Sequence, residues 1–400
     1  MKFLIAFLSA TLITCTLPAF SAVTKYAPDD RSQLPAALDQ AYFGLGADYT
    51  DFPYANNNLL HGIRATSFTN PTFGLNVFLG KFFNPYIAGE ISLMRPIKWS
   101  YANGITSPSS RNSIWISVFG VTARPTLPLN NRLSIYGIGG LGLISRHGFS
   151  INQTVAIPSK VVPTFLTGGG LTYAITPAWH FDGGIRYTVA QPQEQQPNTV
   201  YAYAGFYYLF HKVDLPKYYN THYIFQRNEI QVGGFSTSVF NPGVNKYFTV
   251  GYLPIFWSGD LKTRNGGWVM YERNVFHTHK RFSLDVGTSI SSYHTAVNNT
   301  SFQAFSVFPQ IRVWLVRAQS ADVYFVYSIA GPTYLTRDNM DNVYLGGHFS
   351  FQDTLGFGVF LGIEKHVNLD CRIGHYSNGN TLPINPGVEV PLVVSLGYAF

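Results

Sequence analysis

The feature of this chain that most restricts its fold is a repeated alternation of apolar with small or polar residues. Segments of about ten residues show this period of two along most of the chain, and short turn sequences separate them. Side chains of a strand point alternately to its two faces, so each segment predicts a strand with one apolar face. Beyond residue 21, no run approaches the roughly 18 apolar residues of a transmembrane helix. The body is therefore either a secreted all-β protein or a membrane β-barrel.

Composition favours the barrel, although a secreted all-β protein could share much of it, and the strand pattern decides between the two classes. Aromatic residues make up 16% of the chain and charged residues only 12%. A lipid-facing surface with aromatic girdles explains this balance, because it replaces the charged surface of a soluble protein. The net charge of +7 suits an anionic surface such as lipopolysaccharide, but the basic residues are scattered and form no nucleic-acid-binding tract. We predict an all-β transmembrane barrel that binds no nucleic acid.

Residues 1–21 predict a cleaved export signal. A single basic residue, Lys2, precedes the apolar run 3–17, and small residues then mark a cleavage site near residue 21. Cys15 lies inside this segment, so Cys371 is the only cysteine expected in the mature chain, which excludes a disulfide framework. The expected location is the bacterial outer membrane, with the chain integral to it.

The alternation predicts eight strands in each half of the chain. In the first half the strands lie near 41–50, 72–81, 86–99, 112–124, 132–145, 164–175, 178–190 and 199–210. In the second half they lie near 229–239, 268–276, 281–292, 303–317, 321–331, 353–364, 366–378 and 389–400. The segment Tyr247 to Trp257 is either a further strand or a capping segment.

Both halves close on a similar aromatic phrase. Residues 396–400 read LGYAF and resemble the C-terminal strand of outer-membrane barrels, and residues 203–210, YAGFYYLF, resemble an internal copy of it. The more polar residues 211–228 predict a linker. We therefore predict two eight-stranded barrels in tandem, at 22–210 and 229–400. One barrel of about 16 strands is the alternative. The first half resembles the small OmpA-type barrels in its pattern.

The segment 375–389 carries the three groups of an acyl-transfer triad. His375 and Ser377 are two residues apart on a predicted strand, so both side chains point to the same face. Glu389 opens the next strand of the hairpin, where a carboxylate can lie beside the imidazole and fix its tautomer. Hydroxyl, imidazole and carboxylate together indicate a serine esterase.

The face and the depth of this constellation follow from the strand pattern. Val367, Leu369, Cys371 and Ile373 form the apolar row that His375 and Ser377 continue, so the constellation faces lipid. The terminal Phe400 belongs at the periplasmic end, which places the other end of the last strand in the outer leaflet.

One residue of the constellation has the wrong parity. Counting alternate positions back from Phe400 assigns Glu389 to the lumen and not to the lipid face. A kink or bulge at Pro391 is therefore required for Glu389 to reach His375.

The same segment resembles the PagL family of outer-membrane lipid A 3-O-deacylases. The family's His-x-Ser-Asn run corresponds to His375, Ser377 and Asn378, and its Asn-x-Gly-x-Glu run begins at Asn385 and ends at Glu389. The resemblance also covers residues 349–358 and, less clearly, the rest of 225–400.

The resemblance implies a role for each of these side chains. By it, His375 is the general base, Ser377 the nucleophile and Glu389 the orienting carboxylate, while Asn378 or Asn385 donates to the oxyanion. It implies hydrolysis of an ester-linked 3-hydroxyacyl chain of lipid A without a cofactor or metal.

Other functions remain open from the sequence. His277 and His279 alternate on one face, but no carboxylate or cysteine stands at ligand spacing, so we predict no metal site. A structural or adhesive barrel would act through loops such as 101–111 and 190–198. A porin requires the wide lumen that only a single large barrel provides.

Overall fold

The structure, a computed structural model, describes residues 31, 34–211, 223–240, 259–278 and 280–400. The predicted export signal, most of the predicted linker and the segment Tyr247 to Trp257 lie outside the described residues. No helix in the described part of the chain is long and apolar enough to cross a membrane.

Eight long strands of the first half form one antiparallel sheet that closes on itself. They are β1 (Ala41–Asp51), β2 (Phe73–Asn84), β3 (Ile87–Pro96), β4 (Arg111–Pro128), β5 (Leu133–His147), β6 (Lys160–Ala174), β7 (Trp179–Thr188) and β8 (Thr199–Leu209). The short strands Ser67–Thr69 and Ser100–Asn103 extend this sheet beside β4, and Phe149–Ile151 pairs with Thr154–Ile157 as a separate hairpin.

The second half forms a second closed barrel of eight strands. They are β9 (Asn228–Ser236), β10 (Leu261–His277), β11 (Phe282–Thr295), β12 (Ser301–Arg317), β13 (Ala321–Leu335), β14 (Phe349–Leu361), β15 (Val367–Ser377) and β16 (Val388–Ala399). The two-residue strands Asn339–Met340 and Val343–Tyr344 pair with each other in the loop between β13 and β14.

Each barrel closes by pairing its last strand with its first. Strand β8 pairs with β1, with Phe206 opposite Leu45, and β16 pairs with β9, with Leu396 opposite Val232. The aromatic phrase at 203–210 is thus a closing strand inside the chain. The prediction of tandem eight-stranded barrels is confirmed, and the alternative of one barrel with about 16 strands is wrong.

The lumen of the second barrel holds a network of buried charges. Arg312 contacts Glu229 at 2.5 Å and also pairs with Glu272. Arg372 donates to Gln310 at 2.6 Å and to Glu272 at 3.1 Å. Buried side chains around Tyr293 and Tyr376 pack on one side of this network, and others around Trp314 and Tyr324 pack on the other. The described residues therefore fill this lumen with side chains.

The first barrel repeats this arrangement with different residues. Arg124 pairs with Glu90 at 3.0 Å and with Asp182, and Arg186 pairs with Glu90 at 2.6 Å. All four charged side chains are almost wholly buried. A buried charge is costly unless it is paired and hydrogen-bonded, so a shift in the register of these strands would leave such charges unpaired at a cost in stability.

We expect Arg312→Gln to destabilise the second barrel by about 3–5 kcal/mol, because it leaves Glu229 and Glu272 buried without their shared cation. The measurement is equilibrium unfolding of the full chain in phospholipid vesicles, followed by tryptophan fluorescence. The matched control is Arg337→Gln, which alters an exposed arginine of the same barrel. Equal unfolding midpoints for the two variants would show that the network adds no stability.

Candidate functional site

The candidate site lies where β15 ends and β16 begins. Strand β15 ends at Ser377, the loop 378–387 follows, and β16 starts at Val388. This end of the barrel carries the longer connections, including 336–348 between β13 and β14, whereas the opposite end has the short turns 278–281 and 318–320. Long connections are typical of the extracellular end of outer-membrane barrels.

The strand register brings the imidazole and the carboxylate together. His375 on β15 stands directly opposite Glu389 on β16. Side chains of directly opposite residues share a face, with Cβ atoms about 4.5–5.5 Å apart. Ser377 follows His375 by two residues on the same strand and so lies on that face as well.

A β-bulge produces this alignment. Gly374 pairs with Val390 and Arg372 pairs with Val393, so β16 has one more residue than β15 between these two pairs. Pro391 lies in that interval. The sequence predicted a kink or bulge there, because alternation counted back from Phe400 would otherwise point Glu389 into the lumen. The bulge turns Glu389 from the lumenal face to the outer face of the barrel.

The constellation is on the outer face. Val367 and Leu369 on the same side of β15 are exposed, while Asn368 and Asp370 at the alternate positions are buried in the lumen. His375 retains only 5% exposure, and Ser377 is half-buried.

Asparagine side chains fasten the loop after Ser377. The Asn378 backbone N–H donates to Asn385 Oδ1 at 2.9 Å, and Asn385 Nδ2 donates to Asn380 Oδ1 at 2.8 Å. Asn378 Nδ2 donates to the carbonyls of Ile384 at 2.6 Å and Leu345 at 3.3 Å. Both protons of the Asn378 amide thus hold the loop, whereas Asn385 has one amide proton outside these bonds.

The backbone turns sharply beside the hydroxyl. Gly379 and Asn380 both have left-handed backbone angles, with φ of 62° and 60°. Among the hydrogen bonds between described residues, none uses the backbone N–H of either residue. Gly346 packs on this loop from the β13–β14 connection, and a Cβ there would lie 2.2 Å from the carbonyl oxygen of Ile384. Glycine at 346 therefore permits close contact of the two connections.

An open pocket adjoins the hydroxyl. It has an empty volume of about 190 Å³, including space open to solvent, and its lining includes Ser377, Asn378, Asn385 and Phe349. Phe349 packs edge-on against Phe351 with ring centroids 4.9 Å apart. Phe351 stands opposite Ser377 in the register, so an apolar surface flanks the hydroxyl.

The structure adds two charged residues to the site that the sequence pattern did not assign. Asp353 on β14 stands directly opposite His375, on the side away from Glu389. Its Oδ1 accepts a hydrogen bond from the Ala330 N–H at 2.7 Å, at an irregularity in β13. In the sequence, Asp353 could have been recognised only as the one acidic residue among the outward-facing positions of β14.

The second added residue is Lys262. The start of β10 runs alongside β16, with Lys262 next to Glu389, and the two side chains form an ion pair. The hydroxyl of Thr263 donates to the Glu389 carbonyl at 2.9 Å and holds this pairing in register. Sequence reasoning did not find Lys262, because β9 separates β10 from β16 elsewhere in the barrel.

The first barrel touches the same loop. Ser117 on β4 donates its hydroxyl proton to the backbone carbonyl of Asn380 at 2.5 Å, and Ser117 is buried. Ser145 on β5 is the cross-strand partner of Ser117 and is also buried. Two adjacent serines therefore stand where the first barrel meets the second barrel's loop.

The histidines weighed as metal ligands lie away from this site. His277 is buried and stacks on Phe225 with ring centroids 4.1 Å apart, and His279 lies outside the described residues. Within the described ranges, no group of three or more His, Cys, Asp or Glu side chains is placed to hold a metal ion.

Two closed barrels whose lumens are filled by buried side chains and whose outer faces expose many large apolar side chains define an integral outer-membrane β-barrel protein. The family model of the outer membrane protein beta-barrel domain matches residues 8–210, and the chain belongs to that family. The family model of the lipid A 3-O-deacylase (PagL) matches residues 265–399, the part that holds the constellation. Both family resemblances predicted from the sequence are confirmed.

Three of the solved structures that match this chain each cover less than half of it. Neisserial surface protein A is 14% identical and covers 43% of this chain and 98% of its own, with a TM-score of 0.31. The outer membrane enzyme PagL is 12% identical and covers 43% and 99%, also with a TM-score of 0.31. The Ail protein of Yersinia pestis is 17% identical and covers 42% and 96%, with a TM-score of 0.29. A comparison with curated proteins gave no match.

We expect Asn385→Ala to loosen the loop after Ser377, because the Asn378 N–H loses its acceptor and Asn380 loses its donor. A net hydrogen bond of about 0.5–1.5 kcal/mol predicts several-fold to tenfold faster amide exchange at Asn378. Hydrogen exchange followed by NMR in micelles measures this rate. Amides in the middle of β15 are the internal control and should exchange as before. Unchanged exchange at Asn378 would contradict the fastening role.

Proposed function

We propose that the second barrel is a serine esterase that hydrolyses the ester-linked 3-hydroxyacyl chain at the 3-position of lipid A. The supporting observation is the register that places His375 opposite Glu389, with Ser377 on the same outward face. Catalytic groups on the outside of a membrane barrel meet a lipid and not a dissolved substrate. The match of residues 265–399 to the lipid A 3-O-deacylase family supports this substrate class.

In the proposed first step, the Ser377 hydroxyl oxygen attacks the ester carbonyl carbon while its proton passes to His375. The bond between the carbonyl carbon and the sugar oxygen then breaks, and His375 gives that proton to the departing oxygen. The products are an acyl-serine and a free sugar hydroxyl. Water attacks the acyl-serine by the same proton path, releasing a 3-hydroxy fatty acid and restoring Ser377.

Glu389 acts in this proposal through His375. A carboxylate beside the imidazole selects the tautomer that can accept the serine proton and stabilises the imidazolium that forms. The bulge around Pro391 is the local structure on which this depends, because without it Glu389 would face the lumen.

The negative charge that develops on the ester oxygen needs hydrogen-bond donors already in place. Gly379 and Asn380, two and three residues after Ser377, offer their backbone N–H groups, and Asn385 retains an amide proton on the same loop. We propose that these three groups donate hydrogen bonds to the oxyanion. Asn378, the other asparagine of the motif, shapes the loop with both protons of its amide. Losing one oxyanion donor costs on the order of 100-fold in rate.

The surroundings of Ser377 suit an acyl chain. Phe349 and Phe351 form an apolar surface beside the hydroxyl, and the exposed Leu369 and Val367 continue it toward the membrane interior. A chain lying along this surface would bring its ester to the level of Ser377.

A porin is the weaker alternative. Conduction needs a continuous water-filled path, and in both barrels buried ion-pair networks cross the described lumen between layers of buried side chains. A structural or adhesive role for the whole chain is the remaining alternative, and the next experiment separates it from the esterase.

We expect outer membranes that contain the chain to hold lipid A lighter by one 3-hydroxyacyl group. Ser377→Ala should abolish this loss, because it removes the attacking oxygen while the barrel still assembles. Mass spectrometry of extracted lipid A measures both results. The matched control is Ser301→Ala, an exposed serine at the start of β12, which should keep full activity. Identical spectra with and without the wild-type chain would favour the structural or adhesive barrel.

We expect the two carboxylates beside His375 to differ sharply in their effect on turnover. Glu389→Gln should lower kcat by about 10⁴-fold, the scale found when a triad carboxylate becomes an amide. Asp353→Asn should change kcat by less than about tenfold, because its Oδ1 is held by the Ala330 N–H. Release of 3-hydroxy fatty acid by purified protein measures both rates. The reverse order would make Asp353 the orienting carboxylate.

A further inference from the structure

The carboxylate that faces His375 is shared with a cation. Glu389 forms an ion pair with Lys262, and its side chain is 16% exposed while that of Lys262 is 51% exposed. His375 on β15 and Lys262 on β10 stand on the two sides of Glu389. Arg264, two residues beyond Lys262, is exposed as well. The site therefore has a cationic edge on the side away from β15.

This ion pair is exchangeable. Ion pairs between solvent-exposed side chains contribute about 0–1 kcal/mol, because water screens the charges and ordering long side chains costs entropy. A phosphate monoester carries a charge of about −1.5 to −2 and three acceptor oxygens, so it binds an ammonium group more strongly than a single carboxylate does. Any phosphate that reaches this edge will compete with Glu389 for Lys262.

Resting on the esterase function above, we propose that Lys262 is the phosphate-recognition residue of the site and that phosphate binding draws it from Glu389. The ligand is a phosphorylated glycolipid whose ester lies at Ser377 and whose phosphate lies over β10. Pairing with Lys262 weakens the charge that Glu389 offers to His375. Binding the phosphate restores that charge, so recognition of the substrate headgroup prepares the triad.

The register supports a fixed distance between headgroup and ester. Lys262 lies next to Glu389, Glu389 lies opposite His375, and Ser377 follows two residues later. Hydrogen bonds from Thr263 to the Glu389 carbonyl, and from Leu261 to the Gly387 carbonyl at 3.2 Å, hold β10 against β16. The cation on β10 and the nucleophile on β15 are thus held on the two sides of β16 in one hydrogen-bonded sheet.

The first test compares two substrates with the purified full chain in detergent. Bisphosphorylated lipid A and chemically dephosphorylated lipid A are hydrolysed by the wild type, by Lys262→Gln and by Lys98→Gln, the last altering an exposed lysine of the first barrel. We expect Lys262→Gln to lower the ratio of kcat/KM between the two substrates by about tenfold or more, the scale of one charge-assisted hydrogen bond. Lys98→Gln should leave the ratio unchanged. An unchanged ratio in Lys262→Gln would overturn the proposal.

The second test needs no hydrolysis. In a Ser377→Ala background, binding of the same two lipids is measured by calorimetry with and without Lys262→Gln. A preference for the phosphorylated lipid that depends on Lys262 would support phosphate recognition. Absence of hydrolysis by the wild type would contradict only the esterase function, and this binding preference would still stand. Hydrolysis by the wild type without such a preference would defeat only the inference.

Competition experiments identify the source of the phosphate. Inorganic phosphate and phosphatidylglycerol vesicles are each added to the binding measurement. Weak competition by both, with Lys262-dependent binding of lipid A retained, supports a glycolipid headgroup. Full displacement by phosphatidylglycerol would overturn that assignment, because it would show that any phospholipid headgroup satisfies Lys262.

Discussion

The structure depends on one constraint: a backbone inside lipid must satisfy its hydrogen bonds within the protein. A sheet can do this only by closing on itself, since an open edge would leave a row of unpaired groups in hydrocarbon. This chain closes twice, through β8 with β1 and through β16 with β9. Closure of eight strands leaves an interior just wide enough for side chains. The buried arginine and carboxylate networks fill that interior, so the outer face is left for chemistry.

The two barrels share this scaffold but differ at the position that carries the constellation. Strand β7 is the second-last strand of the first barrel, as β15 is of the second. Its outward positions near the long-loop end hold Ile185 and Tyr187, which are exposed and apolar or aromatic. The matching stretch of β15 holds His375 and Ser377. The fold is therefore duplicated, whereas the constellation of His375, Ser377 and Glu389 belongs to the second barrel alone.

Most of the architecture could be predicted from the sequence because a barrel strand depends on local alternation and a closing strand has its own aromatic pattern. The aromatic pattern at 203–210 predicted an internal closing strand, and this favoured two barrels over a single barrel. The pairing of His375 with Glu389 could also be predicted from local sequence, because both residues belong to one hairpin. The parity of Glu389 even required the bulge around Pro391 that the structure contains.

Two neighbours of the constellation were beyond such reasoning. The contact of Lys262 with Glu389 depends on β10 reaching past the end of β9. The position of Asp353 opposite His375 depends on the exact register between β14 and β15, which no sequence motif marks. A shift of one residue in either pairing would move every side chain to the other face. Only three-dimensional pairing fixes these neighbours.

The position of these charges on the barrel explains why the fold tolerates them. A lysine or arginine on the lipid face costs about 2–4 kcal/mol at the bilayer midplane but only about 0–1 kcal/mol near the interface, and an acidic residue costs less. Lys262, Asp353, His375 and Glu389 all lie toward the long-loop end of their strands, while the exposed Val367 and Leu369 lie nearer the short turns. The depth at which a charged side chain costs little free energy is also the depth at which lipid headgroups and acyl esters lie. Catalysis on the outside of such a barrel is therefore confined to one band, and the bulge in β16 is what places a carboxylate in that band beside His375.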